Sequence, residues 1–455
     1  MNKFFQVGIA MKPNKNNANK NLLMVKPESG FMFTIITGAQ FGDEGKGKIV
    51  DLLAKDYDIV ARFQGGDNAG HTVRVGDEIY KLHLIPSGIL LDTRVLIGPG
   101  VVLNPKILAE EISMLEQHGI RINADNFGVD AKTSIIMPYH IEMDLLREES
   151  RETKIGTTKR GIGNAYIDKV ARDEIRLAEL VDSERLLAKL EELAPQKEKE
   201  IEAMGGDPKI VRDHTRINKY SELGRQFAYY VTDVSREINE ALDEGKNVMA
   251  EAAQGTHLDV IHGTQKFVTS SSTIAGSACA NLGVGPTRVD KVIAIVKAYI
   301  TRVGDGPLPT ELTGELGEKI QKAGGEFGTT TGRGRRCGWF DLPLLKKAIV
   351  LNGYTEISLT KLDVLTGIDP IRICVCYNYK RKKLDYPPEL ADDLLDCKPV
   401  YEDLPGWGND LTEVKTFEEL PKNSKNYVKR LEELMKVPIN YISVGPARSQ
   451  TFKKE

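Results

Sequence analysis

Gly42, Gly47 and Lys48 have the Gly-x4-Gly-Lys spacing of a loop that wraps a phosphate and opens a helix. Glycines let backbone N–H groups turn inward, the helix N-terminus adds partial positive charge, and the lysine adds a full one. A glycine-rich turn with no ligand fits the same pattern, and this match alone does not separate the two. Where NTPase loops carry Ser or Thr for a metal, this chain has Ile49, which cannot ligate one. Inside the loop stand Asp43 and Glu44. A carboxylate there repels phosphate unless a cation or a proton-transfer role accounts for it. The pattern departs from a standard ATPase or GTPase loop and puts a carboxylate beside a reacting phosphate.

Two more clusters carry chemistry. His71 follows Asn68-Ala69-Gly70, and an imidazole, titrating near neutrality, can donate to a phosphoryl oxygen. His118, His140 and His214 have no such surroundings and read as structural, as do His83 and His262. Thr329-Thr330-Thr331-Gly332-Arg333-Gly334-Arg335-Arg336 reads as an anion-binding loop suited to carboxylates, which guanidinium groups pair bidentately. A solvated basic loop or a nucleic-acid contact is the blander alternative.

These residues must be positioned by regular elements. FTIITG is a buried strand leading into the glycine-rich loop, and IVDLLAK after it has helical spacing. DIVARF is a second strand, and TVRV, Gly76-Asp77 and EIYKLHL form a hairpin. Residues 105–118 predict an amphipathic helix, 183–204 a charge-dense, solvated helical excursion, and 220–244 one long helix. NVMAEAA is strand-like with Gln254 at its end. KVIAIVKAYI, EISLT, IRICVCYNY and a final helix–strand pair (427–436, then INYISV) complete the pattern. No linker divides the chain, so one large domain on a central sheet, with insertions, is expected.

Composition agrees. Of 455 residues 41% are hydrophobic and 28% charged, and 62 Lys plus Arg oppose 65 Asp plus Glu, so there is no general basic footprint for nucleic acid or an anionic membrane. No apolar run is long enough to span a bilayer. Five cysteines without a Cys-x-x-Cys pair argue against a disulfide framework or zinc site and suit a reducing cytoplasm. Residues 1–31 are rich in Asn and Lys and read as a disordered extension rather than a signal peptide.

GDEGKGK followed by NAGHT resembles the adenylosuccinate synthetase family, whose members join IMP and aspartate with GTP consumed. HLIPSGIL, IGTTKRGIG, DKVAR, AQGTHLDVIHGT, TRVGDGPLPTE, EFGTTTGRGRR, TKLDVL and ISVGP extend the likeness over 32–455. It implies one α/β domain with a central, mostly parallel sheet, a P-loop-like GTP-binding loop and helical or loop insertions, working as a cytoplasmic homodimer. The reaction implied is phosphorylation of the IMP 6-oxygen and its displacement by the aspartate amine, the first committed step from IMP to AMP.

The likeness also implies roles. Asp43 matches the catalytic base and, with the carbonyl of Gly70, a ligand of one Mg2+ per subunit; His71 matches the general acid. GTP is implied at Gly42, Asp43, Glu44, Gly45, Lys46, Gly47, Lys48, Gly70, His71, Thr72, Arg335, Lys361, Leu362, Asp363, Ser443, Val444 and Gly445. Thr360-Lys361-Leu362-Asp363 resembles the guanine motif of GTPases, a carboxylate accepting from guanine N1–H and its 2-amino group. IMP is implied at Asp43, Glu44, Gly45, Lys46, Asn68, Ala69, Gly70, His71, Thr158, Gln254, Thr269, Val303 and Arg333, with Arg172 supplied by the partner subunit. L-Aspartate is implied at Thr329, Thr330, Thr331, Gly332, Arg333, Gly334 and Arg335. Lys159, Asn164, Gly334 and Val444 depart from commoner family residues.

A GTP-binding switch, or an inactive paralogue keeping the nucleotide pocket, is the rival reading. A switch needs a hydroxyl at position 49 and has no use for the arginine loop. An RNA-binding module, from KRKK and GRGRR, is opposed by the net charge of −3.

Overall fold

Phe33–Gly38 is buried on both faces, with Phe33 and Ile35 in one apolar core and Ile36 in another. Val248–Glu251 repeats this, with Val248 and Ala250 in the first core and Met249 in the second. Such period-two alternation of apolar residues on both faces is what a parallel sheet covered by helices requires. The chain is seen here as a computed structural model that describes residues 32–76, 78–152, 154–327, 332 and 334–454. The 1–31 extension lies outside the described residues, as do Thr329, Thr330, Thr331 and Arg333.

Ten strands form the main sheet, in the order Thr451–Lys453, Ile439–Ser443, Glu356–Thr360, Val289–Lys297, Phe33–Gly38, Val248–Glu251, Ile59–Arg62, Arg94–Ile97, Phe127–Asp130, Val231–Thr232. Every pairing is parallel except that of the edge strand Thr451–Lys453. The expected α/β architecture is therefore present. Strands from 59–251 lie on one side of Phe33–Gly38 and strands from 289–453 on the other, so its carboxyl end is the switch point where such sheets open a crevice. The glycine-rich loop leaves from that end.

Helices Val234–Asp243, Leu342–Asn352 and Lys422–Met435 cover the first core; Lys46–Ala54, Pro105–Gln117 and Ser183–Ala203 cover the second. Two helical expectations change. Ser183–Ala203 is no solvated excursion: Leu186, Leu190, Leu193, Lys197 and Ile201 make one buried stripe, hidden in the sequence by the charges on the other faces. The single helix expected over 220–244 is two, His214–Phe227 and Val234–Asp243. Asp233 restarts the second by accepting from the Arg236 N–H at 3.1 Å, as N-cap residues do. Between them Val231–Thr232 adds the last parallel strand.

Candidate active site

The carboxyl ends of the central strands open into a cleft of about 1440 Å³. At its floor lies the loop between Phe33–Gly38 and the helix Lys46–Ala54. Gly45 precedes the helix in the left-handed region (φ 92°), and no side chain caps the N-terminus. The first helical N–H groups are thus available to an anion. Gly47 must lack a side chain, because a Cβ there would come within 2.8 Å of the Cβ of His71.

The two loop carboxylates have different fates. Glu44 is fully buried and folds back into the loop, accepting from the Gln40 N–H (3.1 Å), the Gly42 N–H (2.8 Å) and Lys46 Nζ (2.6 Å). Removing one partner of such a buried pair costs roughly 3–5 kcal/mol, so both side chains are committed to loop shape. Asp43, held at φ 58°, lines the cleft and pairs through Oδ2 with Arg335 Nε at 2.9 Å. The phosphate repulsion expected from two carboxylates is thereby confined to one.

His71 begins the hairpin His71–Val75/Glu78–Leu82 and sits against the same helix. Its Nδ1 pairs with Glu251 Oε1, while Nε2 has no protein partner and the residue lines the cleft. Glu251 is fixed in turn by the Ser87 N–H and hydroxyl, each at 2.9 Å. Burial pulls the imidazole below its usual value, and Glu251 opposes that shift. For Glu251, burial favours the neutral acid, but His71, Arg62 and the Ser87 N–H outweigh it and keep the carboxylate ionised. Nearby, Gln254 is held at φ 57° with both amide atoms buried and unpartnered, facing the cleft.

At the other end, Lys361 (φ 59°) follows the strand Glu356–Thr360 and starts a short turn carrying Asp363. Asp363 lines the cleft with Oδ1 buried and unpartnered, and burial raises its pKa. Lys361 Nζ bonds to the Gly324 carbonyl and to Glu326 Oε1, each at 2.7 Å. Lys48 runs from the helix to Ser443 Oγ and to the Gly445 carbonyl (2.8 Å), and its burial lowers its pKa to about 8. One turn on, Asp51 pairs with Arg448 at 2.6 Å. Together these two side chains pin the segment after Ile439–Ser443 to the glycine-rich loop's helix.

The cleft brings together residues 42–48, Asn68, Ala69, Gly70, His71, Thr72, Thr158, Gln254, Thr269, Val303, Arg335, Lys361, Asp363 and Gly445. Asn68 Nδ2 reaches Thr269 Oγ1 at 3.4 Å. Leu362 and Val444 do not line it; both are fully buried, and the Val444 N–H is bonded to the Gln450 carbonyl. Ser443 does not line it but touches two residues that do, accepting from Lys48 Nζ and donating to the Gly445 carbonyl at 3.2 Å. Gly332 and Gly334 stand outside its lining, with Gly334 bridged to Phe327. Arg172 is exposed at the end of the helix Ile162–Ala171, at φ 71°, and does not line its own chain's cleft.

Sequence reasoning missed Glu251 and Glu326. The signal for Glu251 is an acid inside the apolar strand VMAE, where an unpaired charge is not tolerated. Asp43, Gln254 and Lys361 share another signal visible only in three dimensions, a left-handed backbone that non-glycine residues adopt at a cost of ~1–3 kcal/mol.

A sequence model of a family described as adenylosuccinate synthetase matches residues 35–452. The chain is 85% identical over 424 residues to adenylosuccinate synthetase 2 of Methanosarcina acetivorans, covering 93% of this chain and 100% of that one. It is 84% identical, over the same shares, to the adenylosuccinate synthetase of Methanosarcina barkeri. A solved structure of fully ligated adenylosuccinate synthetase from Plasmodium falciparum superposes with a TM-score of 0.88 at 36% identity, covering 93% of this chain and 99% of that one.

Proposed function

The chain belongs to the adenylosuccinate synthetase family, and on that premise we propose that Asp43 and His71 perform its proton transfers. The reaction is the GTP- and Mg2+-dependent ligation of IMP and L-aspartate to adenylosuccinate, with GDP and phosphate released. The observation that carries the assignment of roles is the convergence, on one cleft, of a carboxylate held by a guanidinium and an imidazole held by a carboxylate.

In the first step the IMP 6-oxygen attacks the γ-phosphorus of GTP and GDP leaves. Asp43 accepts the purine N1 proton, making the oxygen nucleophilic, and Arg335 fixes the orientation of the carboxylate. His71 donates through Nε2 to a phosphoryl oxygen, and Glu251 holds the ring and supports its cationic form. In the second step the aspartate amine attacks C6, a proton is lost, and phosphate departs.

Mg2+ fits the residues present. Among the described residues no cluster of three His, Cys, Asp or Glu side chains could cage a metal. Mg2+ is typically held by one or two carboxylates together with substrate phosphates. Asp43 Oδ1 and the Gly70 carbonyl would hold it, and it would neutralise charge on the transferring phosphoryl group. Gln254 suits the purine, Thr269 and Thr158 the IMP phosphate, Asp363 the guanine edge, and Arg335 with the loop before it the aspartate carboxylates. Leu362 and Val444 then serve by backbone placement and packing.

The catalytic unit is residues 32–455. It acts in the cytoplasm, where its five free thiols are compatible with a reducing medium. No helix among the described residues is long and apolar enough to cross a membrane. It functions as a homodimer in which Arg172 serves the partner's IMP site. The test is an assay of adenylosuccinate formation: GDP release must require both IMP and L-aspartate, and release with GTP alone would support the rival switch.

A further inference from the structure

One carboxylate gathers three cations behind the cleft. Glu326 Oε1 accepts from Lys361 Nζ at 2.7 Å, Lys297 Nζ at 3.1 Å and the Tyr299 hydroxyl at 2.5 Å. Its Oε2 accepts from Arg335 Nη1 at 2.7 Å and Lys297 Nζ at 3.2 Å. The side chains of Glu326 and Lys297 are 0% exposed.

Two of the cations lead to opposite ends of the site. Arg335 continues through Nε to Asp43 Oδ2, while Lys361 opens the turn that carries Asp363. We propose that Glu326 is a positioning residue for the ligation, setting Lys361 and Arg335 jointly so that the guanine subsite and the catalytic Asp43 keep one spatial register. This rests on the reading of Asp363 as the guanine-recognising carboxylate and Asp43 as the base.

The geometry favours this role for a physical reason. The Arg335 fork is planar and rigid, so the place where Glu326 holds Nη1 fixes the place where Nε meets Asp43. Lys361 has a flexible four-carbon stem, and a second tether to the Gly324 carbonyl at 2.7 Å leaves its ammonium with one position. Three cations against Glu326 and Asp43 leave one net positive charge beside the cleft, which suits phosphate-bearing substrates. The blander alternative is that Glu326 only neutralises Lys297, which does not line the cleft.

A charge-balanced pair of variants separates the two. Glu326→Gln keeps the shape but leaves Lys297 without its counter-charge, so a lower Tm is expected in either case. Lys297→Met/Glu326→Gln removes both buried charges and should restore Tm. A positioning role predicts that the double variant still loses about 10–100-fold in kcat, with KM raised for GTP and for L-aspartate, the substrates assigned to Lys361–Asp363 and Arg335. Glu326→Asp, which keeps the charge but withdraws it by one methylene, should stay folded and show the same kinetic split. Wild-type kinetics in a folded Glu326→Asp, or recovery of kcat together with Tm in the double variant, would overturn the proposal. Absence of IMP- and aspartate-dependent turnover in the unmodified protein would instead overturn the functional reading on which it rests.

Discussion

Glu251 closes on Nδ1 of His71 from the carboxyl end of a central strand, which leaves Nε2 the one ring nitrogen facing the cleft. The two residues are 180 positions apart in sequence, and Ser87 locks the carboxylate from a third segment. This fixes both the ring's orientation and the nitrogen that can exchange a proton with substrate.

Glu251→Gln keeps volume and one hydrogen-bond acceptor but removes the charge that supports imidazolium. A fall in kcat of about 10²-fold is expected, with KM for GTP little changed. Steady-state kinetics on the folded variant check this, and a kcat within a few-fold of wild type would show that the pair is only structural.

Asp363→Asn should reverse nucleotide choice. The buried, unpartnered Oδ1 is placed to accept from the guanine edge, and an amide can instead donate to the 2-oxo group of xanthine. The ratio of kcat/KM for GTP over xanthosine triphosphate should fall by about 10²-fold or more. An unchanged ratio would place guanine recognition elsewhere.

Arg172 is exposed and outside its own cleft, as a residue serving a partner's site would be. Asp43→Ala and Arg172→Ala homodimers should each be nearly inactive. Mixing them with subunit exchange makes half the dimers hybrid, each with one intact site, so activity should recover to roughly a quarter of wild type. No recovery after exchange is verified by a mass-tagged chain would contradict the shared site.

Asp341 offers a stability test remote from catalysis. It caps the helix Leu342–Asn352, its Oδ1 accepts from the Tyr377 hydroxyl at 2.5 Å and the Leu344 N–H at 3.2 Å, and burial raises its pKa to about 7. The unfolded carboxyl loses its proton near pH 4, the folded one near 7. Its contribution is therefore complete below about pH 4 and is lost as pH rises to about 7, on the order of a few kcal/mol. Asp341→Asn should flatten this part of the stability profile in urea titrations; an unaltered slope between pH 4 and 7 would refute it.

Residues that act through local spacing were legible: Asp43 in its loop, His71 after Asn68-Ala69-Gly70, and Asp363 after a β-rich run all reach the cleft. What was not legible depends on long-range placement. Glu251 and Glu326 are ordinary acids in sequence; sheet order brings the first to His71, and the loop after the helix Glu315–Ala323 brings the second to Lys297, Lys361 and Arg335. Glu44 lines the cleft with the rest of its loop, but the ion pair its side chain makes with Lys46 could not be read from the spacing. The charge pattern of Ser183–Ala203 concealed its apolar stripe, and the cap at Asp233 was lost in a continuous helical periodicity.

The first chemical step can be watched without the second. With GTP labelled by 18O at the β,γ-bridge, IMP present and aspartate absent, reversible phosphoryl transfer scrambles the label into the β-nonbridging positions. Wild type is expected to scramble it, and Asp43→Asn and His71→Asn to do so at least about 10²-fold more slowly while still binding GTP. Scrambling at the wild-type rate in both variants would contradict the assignment of Asp43 and His71 as the proton-transferring pair.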